Sequence, residues 1–327
     1  MTAARPVTVL ATGDIMLVLG MTYLLRQYGA KYPFQKVRPL LSRASILVGN
    51  LEAPFTLRNT PTPYKSAESV RARRDYILRA EPRWAQALVF AGFDAVGLAN
   101  NHLMDYQEGG LYDTLRVLDR VGIAYAGAGR SLEEARRPAI LKRDGLQFAL
   151  LSYSCILPVG SVATSTRAGI APARGAGAEE GMRQDIQTAR ERADFVLVSI
   201  HWGKQLAEFP ESTQRRLGRL LIDWGADAVV GHHPHVLQGI EVYREKVIAY
   251  SLGDFVNLSS RSETAVLQLV ISRPHAVDSA GVIPLRQRRG QLHYADGRAW
   301  KTTIARLNRL SAAWGTRIDP FGSVLLT

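Results

Sequence analysis

Short apolar stretches rich in β-branched residues recur along the chain, and each ends in glycine or polar residues. Examples are VTVLATG before Asp14, SILVG before Asn50 and FVLVSI before His201. Apolar runs of four to eight residues bounded in this way predict buried strands. Segments with helical spacing lie between them, such as residues 108–121, whose leucines share one face. The pattern therefore predicts alternating strands and helices.

The same pattern places the other elements and an overall architecture. Strands are predicted at about 6–13, 45–49, 94–99, 123–127, 195–200 and 227–230, with a hairpin over 138–153 that turns at Asp144-Gly145. Helices are predicted from Pro82 to the C-cap Gly92, and over about 179–192, 212–224 and 300–313. Consecutive strands at 236–243, 246–252 and 264–271 predict an antiparallel second half, and residues 158–178 lack periodicity and predict a mobile loop or lid. We expect a layered α/β sandwich in one domain, residues 1–327, with a tail of about 275–327 packed on it.

Length and composition limit the class of protein. The 327 residues are 46% apolar and 21% charged, which is ordinary for a globular protein with a large core. The single cysteine, Cys155, excludes an internal disulfide and is expected to be a buried free thiol. No apolar run approaches the roughly 18–20 residues of a transmembrane helix, and the N-terminus lacks the pattern of a signal peptide. The sequence alone therefore predicts a cytoplasmic location.

The net charge of +12 adds a preference among partners. A solvated basic surface explains it without any function, whereas the functional interpretation is attraction to a phosphorylated or polyglutamate-like anion. The densest basic cluster, which we expect at the border of the active crevice, is Arg71, Arg73, Arg74, Arg79 and Arg83. No aromatic residues are interleaved with it as in single-strand binders, which disfavours nucleic acid.

Five of the seven histidines lie in three motifs that directly follow predicted strands. These are His102, His201, and the group His232, His233 and His235. In an open α/β sheet, ligands bind in the crevice beyond the carboxyl ends of the strands. We therefore expect these imidazoles to converge on one edge with the oxygen donors that end other strands, as a metal centre requires.

The histidine-rich motif, residues 231–235, is the strongest single signal for a metal. His233 and His235 form an H-x-H pair, and Pro234 between them restricts the backbone and lowers the entropy lost on ordering the ligands. Three histidines in four residues are seldom an accident of packing, and a purification tag would not stand in mid-chain. We favour His233 and His235 as ligands, with His232 supporting them from outside the metal shell.

The remaining donors are individually weaker, because each also has an ordinary structural explanation. Asp14, Asn50 and Glu52 are also typical turn residues, and a lone histidine such as His201 is often only a satisfied side chain. In the triplet that ends at His102, the amide of Asn101 is a hard ligand, and the histidine is a ligand or a general acid. Such a mixed donor set without cysteine suits Mn²⁺, Fe, Zn²⁺ or Mg²⁺, in one or two ions.

Together the motifs resemble the CapA/PgsA family of bacterial capsule (poly-γ-glutamate) synthesis proteins, which is related to the calcineurin-like metallophosphoesterases. The matching signatures occur in the family's order along nearly the whole chain. They are TGDIM (12–16), GNLEAP (49–54), LANNHLMD (98–105), IHWG (200–203), GHHPHVLQGIE (231–241) and YSLGDF (250–255).

The resemblance implies a four-layer α/β/β/α metallophosphoesterase-like sandwich and a role for each motif. Asp14 would be a ligand, and Asn50 or Glu52 would replace a bridging aspartate. Asn101, His201, His233 and His235 would complete the metal shell, with His102 as the proton donor to the leaving group.

The sequence departs from the phosphoesterase pattern at two positions. Met16 stands where those enzymes have a second first-strand ligand, a histidine. Asp254 stands where we expect asparagine in the family, and its carboxylate would add a ligand or a catalytic base. The resemblance implies a metal-dependent hydrolase acting on a phosphoester or γ-glutamyl amide, or else a non-catalytic polymer-binding accessory protein of capsule biosynthesis.

Overall fold

The computed structural model describes residues 6–72, 75–258 and 263–326. The strands are β1 (Val7–Ile15), β2 (Ile46–Leu51), β3 (Ala95–Gly97), β4 (Ala124–Ala126), β5 (Ala128–Gly129), β6 (Ala139–Arg143), β7 (Leu146–Ser154), β8 (Gly169–Ile170), β9 (Phe195–His201), β10 (Ala228–His232), β11 (Ile240–Tyr243), β12 (Lys246–Ala249), β13 (Asp254–Val256), β14 (Glu263–Ile271), β15 (Ser279–Arg288), β16 (Gln291–Tyr294) and β17 (Ser323–Val324). The α-helices are α1 (Gly20–Tyr28), α2 (Arg38–Leu41), α3 (Ala67–Arg71), α4 (Ala85–Ala91), α5 (Gln107–Val121), α6 (Leu132–Arg136), α7 (Ala178–Arg190), α8 (Ser212–Asp223) and α9 (Gly297–Ser311), and 3₁₀ turns cover Pro82–Trp84 and Ala312–Trp314. The predicted mixed α/β class is confirmed.

The strands form two large sheets and a short ribbon of β5 with β8. The larger sheet has the order β16-β15-β14-β1-β2-β3-β4, with β13 beside β1 and β17 beside β15. The smaller sheet has the order β11-β12-β10-β9-β7-β6. Strands β1 to β4 are parallel to one another, as are β7, β9, β10 and β12. Parallel neighbours end at the same edge, so each sheet presents a row of strand ends.

The two sheets face each other because their strands are apolar on alternate positions. Val9 and Ala11 of β1 share one buried cluster with Phe195 and Leu197 of β9. The opposite face of β1, including Leu10, packs against α1, α2, α4 and α5. The opposite faces of β9, β10 and β12 pack against α7 and α8. Helices therefore cover the outer face of each sheet.

An aspartate directly precedes each of three central strands and fixes a neighbouring strand. Asp94 accepts a hydrogen bond from the backbone N–H of Leu47 at 2.8 Å, and Asp194 accepts one from Gln147 at 2.8 Å. Asp227 does the same for Val196 at 2.9 Å. These bonds join the beginnings of adjacent strands, so the strand ends reach the same edge.

The prediction of an antiparallel second half holds for β14, which pairs in this way with β1 and β15, but it is wrong for one neighbour of β12, and β13 was not predicted. β11 and β12 form the expected hairpin, but β12 then pairs with β10 in parallel. β13 pairs in parallel with β1, in the other sheet. β12 pairs in parallel with β10 because both of its faces are apolar. Val247 and Ala249 face the other sheet, while Ile248 packs under the helices. A strand buried on both faces belongs inside a parallel sheet.

The predicted lid, residues 158–178, includes β8 and several buried side chains. Ala163, Ala168 and Ile170 are at most 2% exposed. The segment therefore packs against the protein along part of its length, and its mobility stays a prediction.

Replacing Phe195 with alanine should lower the free energy of unfolding by about 3–5 kcal/mol, as for other large aromatic core residues. Phe195 is fully buried between the sheets and stacks on Phe148 with ring centroids 6.0 Å apart. The control is Ile140→Ala on β6, whose side chain is 42% exposed. Urea unfolding of both variants measures the effect, and equal losses would contradict the assignment of this core.

Candidate metal centre

The ends of strands from both sheets converge at one place. Asp14 and Asn50 are paired in register at the ends of β1 and β2. His201 and His232 are paired in register at the ends of β9 and β10. His232 Nδ1 lies 3.1 Å from Asp14 Oδ1, which joins the two sheets at this edge. The structure thus brings together the strand-end donors as the motif positions predict.

Glu52 lies at the middle of this convergence and is entirely buried. Neither of its carboxylate oxygens has a hydrogen-bond partner among the described residues. Its Oε1 is 3.5 Å from His201 Nε2 and 3.8 Å from His235 Nε2. Burial, followed by the nearby charge of Asp14, raises the pKa of Glu52 well above its ordinary value. A buried carboxylate without donors is costly unless a cation compensates it.

Asp14, in contrast, is held in its charged form. Its Oδ1 accepts a hydrogen bond from Asn50 Nδ2 at 2.8 Å, and its Oδ2 accepts one from the backbone N–H of His233 at 3.1 Å. Burial alone would raise the pKa of Asp14, but the interaction with His232 and the charges of His235 and His201 lower it below its usual range.

The backbone of the histidine-rich motif is strained. His233 has φ 95° and His235 has φ 56°, both in the left-handed region that non-glycine residues rarely adopt. Such residues cost about 1–3 kcal/mol each and persist where the surroundings enforce them, often at functional sites. Here the enforced conformation brings the rings of His201 and His233 to 4.7 Å between centroids.

The imidazoles differ in protonation, and the difference suits a metal. Burial lowers the pKa of His201 well below its ordinary value and that of His233 to about 4. Burial also acts to lower the pKa of His235, but the carboxylates of Glu52, Asp254 and Asp14 outweigh it and raise it to about 10. In the absence of a metal, the imidazoles of His201 and His233 are therefore neutral near pH 7, and that of His235 is charged. Neutral imidazole is the form that binds metal, and a metal ion would replace the proton on His235.

Three overlapping groups of donors could hold a divalent ion, with the donor atoms of each group within 4.8 Å of one another. They are Asp14, Glu52 and His201; Glu52, His233 and His235; and Asp14, His235 and Asp254. The buried Nδ1 of His233 also lacks a hydrogen-bond partner among the described residues. Donors that lie together, buried and unsatisfied, fit a metal centre better than a network of internal hydrogen bonds.

The two asparagines predicted as ligands are placed differently. Asn101 Oδ1 lies 2.7 Å from His201 Nε2, so both atoms point to the same space. Asn50 turns its amide nitrogen to Asp14, and its oxygen accepts a hydrogen bond from Asn100 Nδ2 at 3.2 Å. Between the two candidates for the bridging position, Glu52 is therefore the better donor, and Asn50 supports Asp14.

His102 lies outside the three donor groups and belongs to a separate buried arrangement. Its Nδ1 is 2.8 Å from Asp105 Oδ2, and Lys65 Nζ donates to Asp105 Oδ1. Because the carboxylate only accepts, the His102 Nδ1 carries the proton and the Nε2 is left available. Burial lowers the pKa of His102 despite the hydrogen bond to Asp105.

Neither hydrogen-bonded neighbour in this arrangement, Asp105 or Lys65, was among the residues predicted from the sequence. Asp105 ends the motif LANNHLMD, and its spacing of three residues from His102 was the available signal. Lys65 stands in a polar segment with no motif of its own. Its side chain is only 7% exposed, and it also donates to the carbonyl oxygens of Tyr76 and Asn101 at 2.9 and 3.2 Å.

A cavity of about 310 Å³ adjoins the centre. Its wall includes Asn101, Asp105 and Lys65, so it shares side chains with both arrangements described above. Tyr64 and Arg167, from the segments around 62–65 and 158–167, line its outer part. The Arg167 guanidinium donates to the carbonyl of Val162 at 3.1 Å. The cavity thus lies beside Asn101, with Lys65 and Arg167 as its basic side chains and Asp105 and Glu108 as its acidic ones.

The described members of the predicted basic cluster do not border this cavity. Arg73 and Arg74 lie outside the described residues. Arg79 donates to the loop at Leu57–Asn59, and Arg83 pairs with Glu81. None of the cluster's described arginines lines the cavity, where Lys65 and Arg167 are the basic side chains.

Cys155 is half-buried next to a second pocket. Burial raises the pKa of its thiol to about 11. A thiol of this kind stays protonated near neutral pH, which disfavours a role as nucleophile.

Residues 8–259 match the family described as "Bacterial capsule synthesis protein PGA_cap". The chain belongs to this family. Similar proteins include "Capsule biosynthesis protein CapA" of Bacillus anthracis, which is 30% identical over 290 residues, 86% of this chain and 68% of that protein. "PGA biosynthesis protein CapA" of Bacillus subtilis is 36% identical over 245 residues, 75% of this chain and 61% of that protein.

Two further comparisons concern a more distant relative and the fold. A "Probable polyglutamine synthesis accessory protein" of Mycobacterium tuberculosis is 29% identical over 293 residues, 84% of this chain and 77% of that protein. The crystal structure of a hypothetical protein from Thermus thermophilus has a TM-score of 0.50 at 13% identity, over 86% of this chain and 100% of that one, and so shows a similar fold alone. Within the described ranges, none of the helices combines the length and apolarity needed to cross a bilayer.

Replacing Glu52 with glutamine should stabilise the metal-free protein at neutral pH. The pKa of Glu52 is raised above its ordinary value of 4.5, so ionisation destabilises the fold and stability falls as pH rises from about that value. Glutamine removes this charge and can donate to Asp14. Thermal unfolding in EDTA between pH 4 and 8 should show a higher Tm and a weaker pH dependence for the variant.

The same variant should lose the rise in Tm that a divalent ion gives the wild type. The opposite outcome, a metal-free variant less stable than the wild type at pH 7.5, would contradict the electrostatic cost assigned to Glu52.

Proposed function

We propose that the protein is a metal-dependent hydrolase that acts on an anionic substrate in the synthesis or metabolism of capsule polymer. The observation that carries the proposal is the buried carboxylate of Glu52, which lacks a hydrogen bond from any described residue and lies among imidazoles from the ends of strands. Family membership supports the link to capsule polymer.

The donor geometry supports a specific set of ligands. Glu52 would be the shared ligand, since it belongs to two donor groups and no described residue satisfies either of its oxygens. Asp14 and His201, with the amide of Asn101, would bind on one side, and His233 and His235 on the other. Mixed oxygen and nitrogen donors without sulfur suit Mn, Fe or Zn in one or two ions.

The arrangement of the sheets is consistent with the proposed kinship with metallophosphoesterases. Two facing sheets with helices outside, and ligands at the ends of the parallel strands, is the arrangement that the family resemblance implies. The departure at Met16 fits the structure, because this side chain is 7% exposed and belongs to a hydrophobic cluster.

His102 is the proposed proton donor to the leaving group, and it would act as the imidazolium, with one proton on Nδ1 and the other on Nε2. Asp105 holds the Nδ1 proton and Lys65 holds Asp105, so the Nε2 proton would be the one transferred. Burial lowers the pKa of His102, which makes its imidazolium a readier donor. A divalent ion, when bound, would stabilise negative charge on the attacked centre and make water a better nucleophile. Asp14, Glu52, His201 and His233 are buried, and electrostatic interactions are stronger in such a place than in water.

The cavity beside Asn101 is the proposed substrate site. Arg167 at its outer part would pair with an anionic group, and Asn101 connects it to the donor cluster. A phosphoester and a γ-glutamyl amide both meet these conditions. The relatives' names refer to capsule and polyglutamate, which favours testing γ-glutamyl compounds beside phosphoesters.

A non-catalytic role is the second candidate, and the relative named as an accessory protein supports it. The cluster would then hold metal while the cavity binds polymer without turnover. Metal binding and binding of glutamate oligomers without hydrolysis of any γ-glutamyl or phosphoester substrate would favour this role.

Metal content tests the centre directly. Wild-type protein should contain one or two equivalents of Mn, Fe or Zn by plasma mass spectrometry, and hydrolyse a phosphodiester or a γ-glutamyl anilide. Both Asp14→Ala and the double change of His233 and His235 to alanine should lose the metal and the activity while remaining folded by circular dichroism. Wild-type protein that binds no metal after reconstitution, or full metal content in the double variant, would overturn the proposed ligand set.

Replacing His102 with alanine should separate proton transfer from metal binding. We expect kcat to fall about 10²–10⁴-fold, the usual contribution of a general acid, with the metal content unchanged. A substrate whose leaving group needs no proton should suffer a much smaller loss. Equal losses on both kinds of substrate would argue against the proton-donor role.

A further inference from the structure

We propose that Asp254 is a positioning residue that holds the Nδ1–H of His235, so that the Nε2 of this histidine faces the metal. The inference rests on the proposed metal-dependent function. It assigns a role to the carboxylate by which this chain departs from the asparagine expected at this position.

The distances around the His235 ring favour this orientation. Nδ1 lies 2.7 Å from Asp254 Oδ1, which is the length of a strong charge-assisted hydrogen bond. Nε2, on the other side of the ring, lies 3.8 Å from the unsatisfied Oε1 of Glu52. The ring therefore lies between two carboxylates. Asp254 accepts the hydrogen bond from Nδ1–H, and Glu52 would bind the same metal ion as Nε2.

The strand arrangement explains how Asp254 reaches this position. It begins β13 and is paired in register with Asp14 of β1. The approach requires glycine at position 13, because a Cβ there would lie 1.9 Å from the carbonyl oxygen of Gly253. The same carbonyl accepts the backbone N–H of Asp14 at 3.0 Å. The close contact of two backbones thus places the second carboxylate beside the first.

Asp254 is itself fixed by two amide side chains. Asn257 Nδ2 donates to Asp254 Oδ2 at 3.0 Å. Gln287 Nε2 donates to the carbonyl oxygen of Asp254 at 3.0 Å, and its Oε1 accepts the backbone N–H of Asn257 at 3.0 Å. Gln287 therefore joins β13 to β15 and limits the movement of the carboxylate. A histidine that binds metal commonly donates its other ring N–H to a carboxylate held in this way.

The competing arrangement would make Asp254 a ligand, since Asp14, His235 and Asp254 also form a compact group. It would need His235 to bind through Nδ1, whose separation from Asp14 Oδ2 is 3.5 Å. The bonds from His235 and Asn257 engage each Asp254 oxygen with a nitrogen donor, which favours the positioning role. The two arrangements predict different numbers of bound ions when Asp254 is replaced. The number is unchanged if Asp254 positions His235, and it falls by one if Asp254 is a ligand.

The experiment compares metal binding by the wild type, Asp254→Ala and Asp254→Asn, using Mn²⁺ and Zn²⁺ with a competing chelator. Asp254→Ala should lower the affinity about 10–100-fold, as loss of such a partner usually does, with the same number of ions at saturation. Asp254→Asn keeps an oxygen acceptor for Nδ1–H and should lose less. In the Zn²⁺-loaded wild type, ¹⁵N NMR should show a proton on His235 Nδ1, whose resonance moves upfield in Asp254→Ala.

Asp144→Asn is the matched control, because it removes one carboxylate from an exposed turn of φ 49° that asparagine tolerates. Its affinity should equal that of the wild type. Loss of one ion at saturation in Asp254→Ala would make Asp254 a ligand and overturn the inference. Unchanged affinity in both Asp254 variants would also overturn it, whereas failure of the wild type to bind metal would overturn the proposed function as well.

Discussion

The central constraint on this structure is a carboxylate that is fully buried and receives no hydrogen bond from the described residues. Glu52 is placed by β2 in a space where Asp14 adds a second negative charge and His201 and His235 approach it. In the metal-free protein the site keeps a proton on His235 and raises the pKa of Glu52, which are two ways of reducing the same excess charge. A divalent cation would serve this purpose better than protons, so the electrostatics of the site and the proposed function have one cause.

The rest of the fold can be understood as a means of bringing these groups together without water. Two sheets pack through apolar side chains, and their parallel strands end at one edge, where the apolar layer gives way to polar residues. The aspartates that precede β3, β9 and β10 set the strands against their neighbours at the opposite ends. Glycine at position 13 allows β13 to approach β1 closely. The same surroundings hold His233 and His235 at strained φ angles.

Much of this could be predicted from the sequence because strand ends are local features. An apolar run followed by Asp14 or His201 contains both the strand and the donor in a single segment. A parallel sheet then brings the donors together, because its strands end at the same edge. Asp105 offered one signal, its spacing of three residues from His102. Lys65 could not be predicted, since its contact with Asp105 depends on how a polar segment 40 residues earlier in the chain folds back. The neighbours of β12 and β13 were also hidden, because an apolar strand looks the same beside either sheet. The burial of both faces of β12 is what favours its parallel pairing with β10.

His102 and His235 have different electrostatic environments, which suit them to different roles. His102 is held at Nδ1 by Asp105, whose charge is matched by the buried Lys65, so the pair adds little net charge to the pocket. His235 is held at Nδ1 by Asp254, whose charge adds to that of Asp14 and Glu52. The first arrangement suits a histidine that exchanges protons with a substrate. The second favours a bound cation, because every nearby carboxylate strengthens the attraction for positive charge. Equivalent hydrogen bonds thus support different chemistry, and the neighbouring charges decide which.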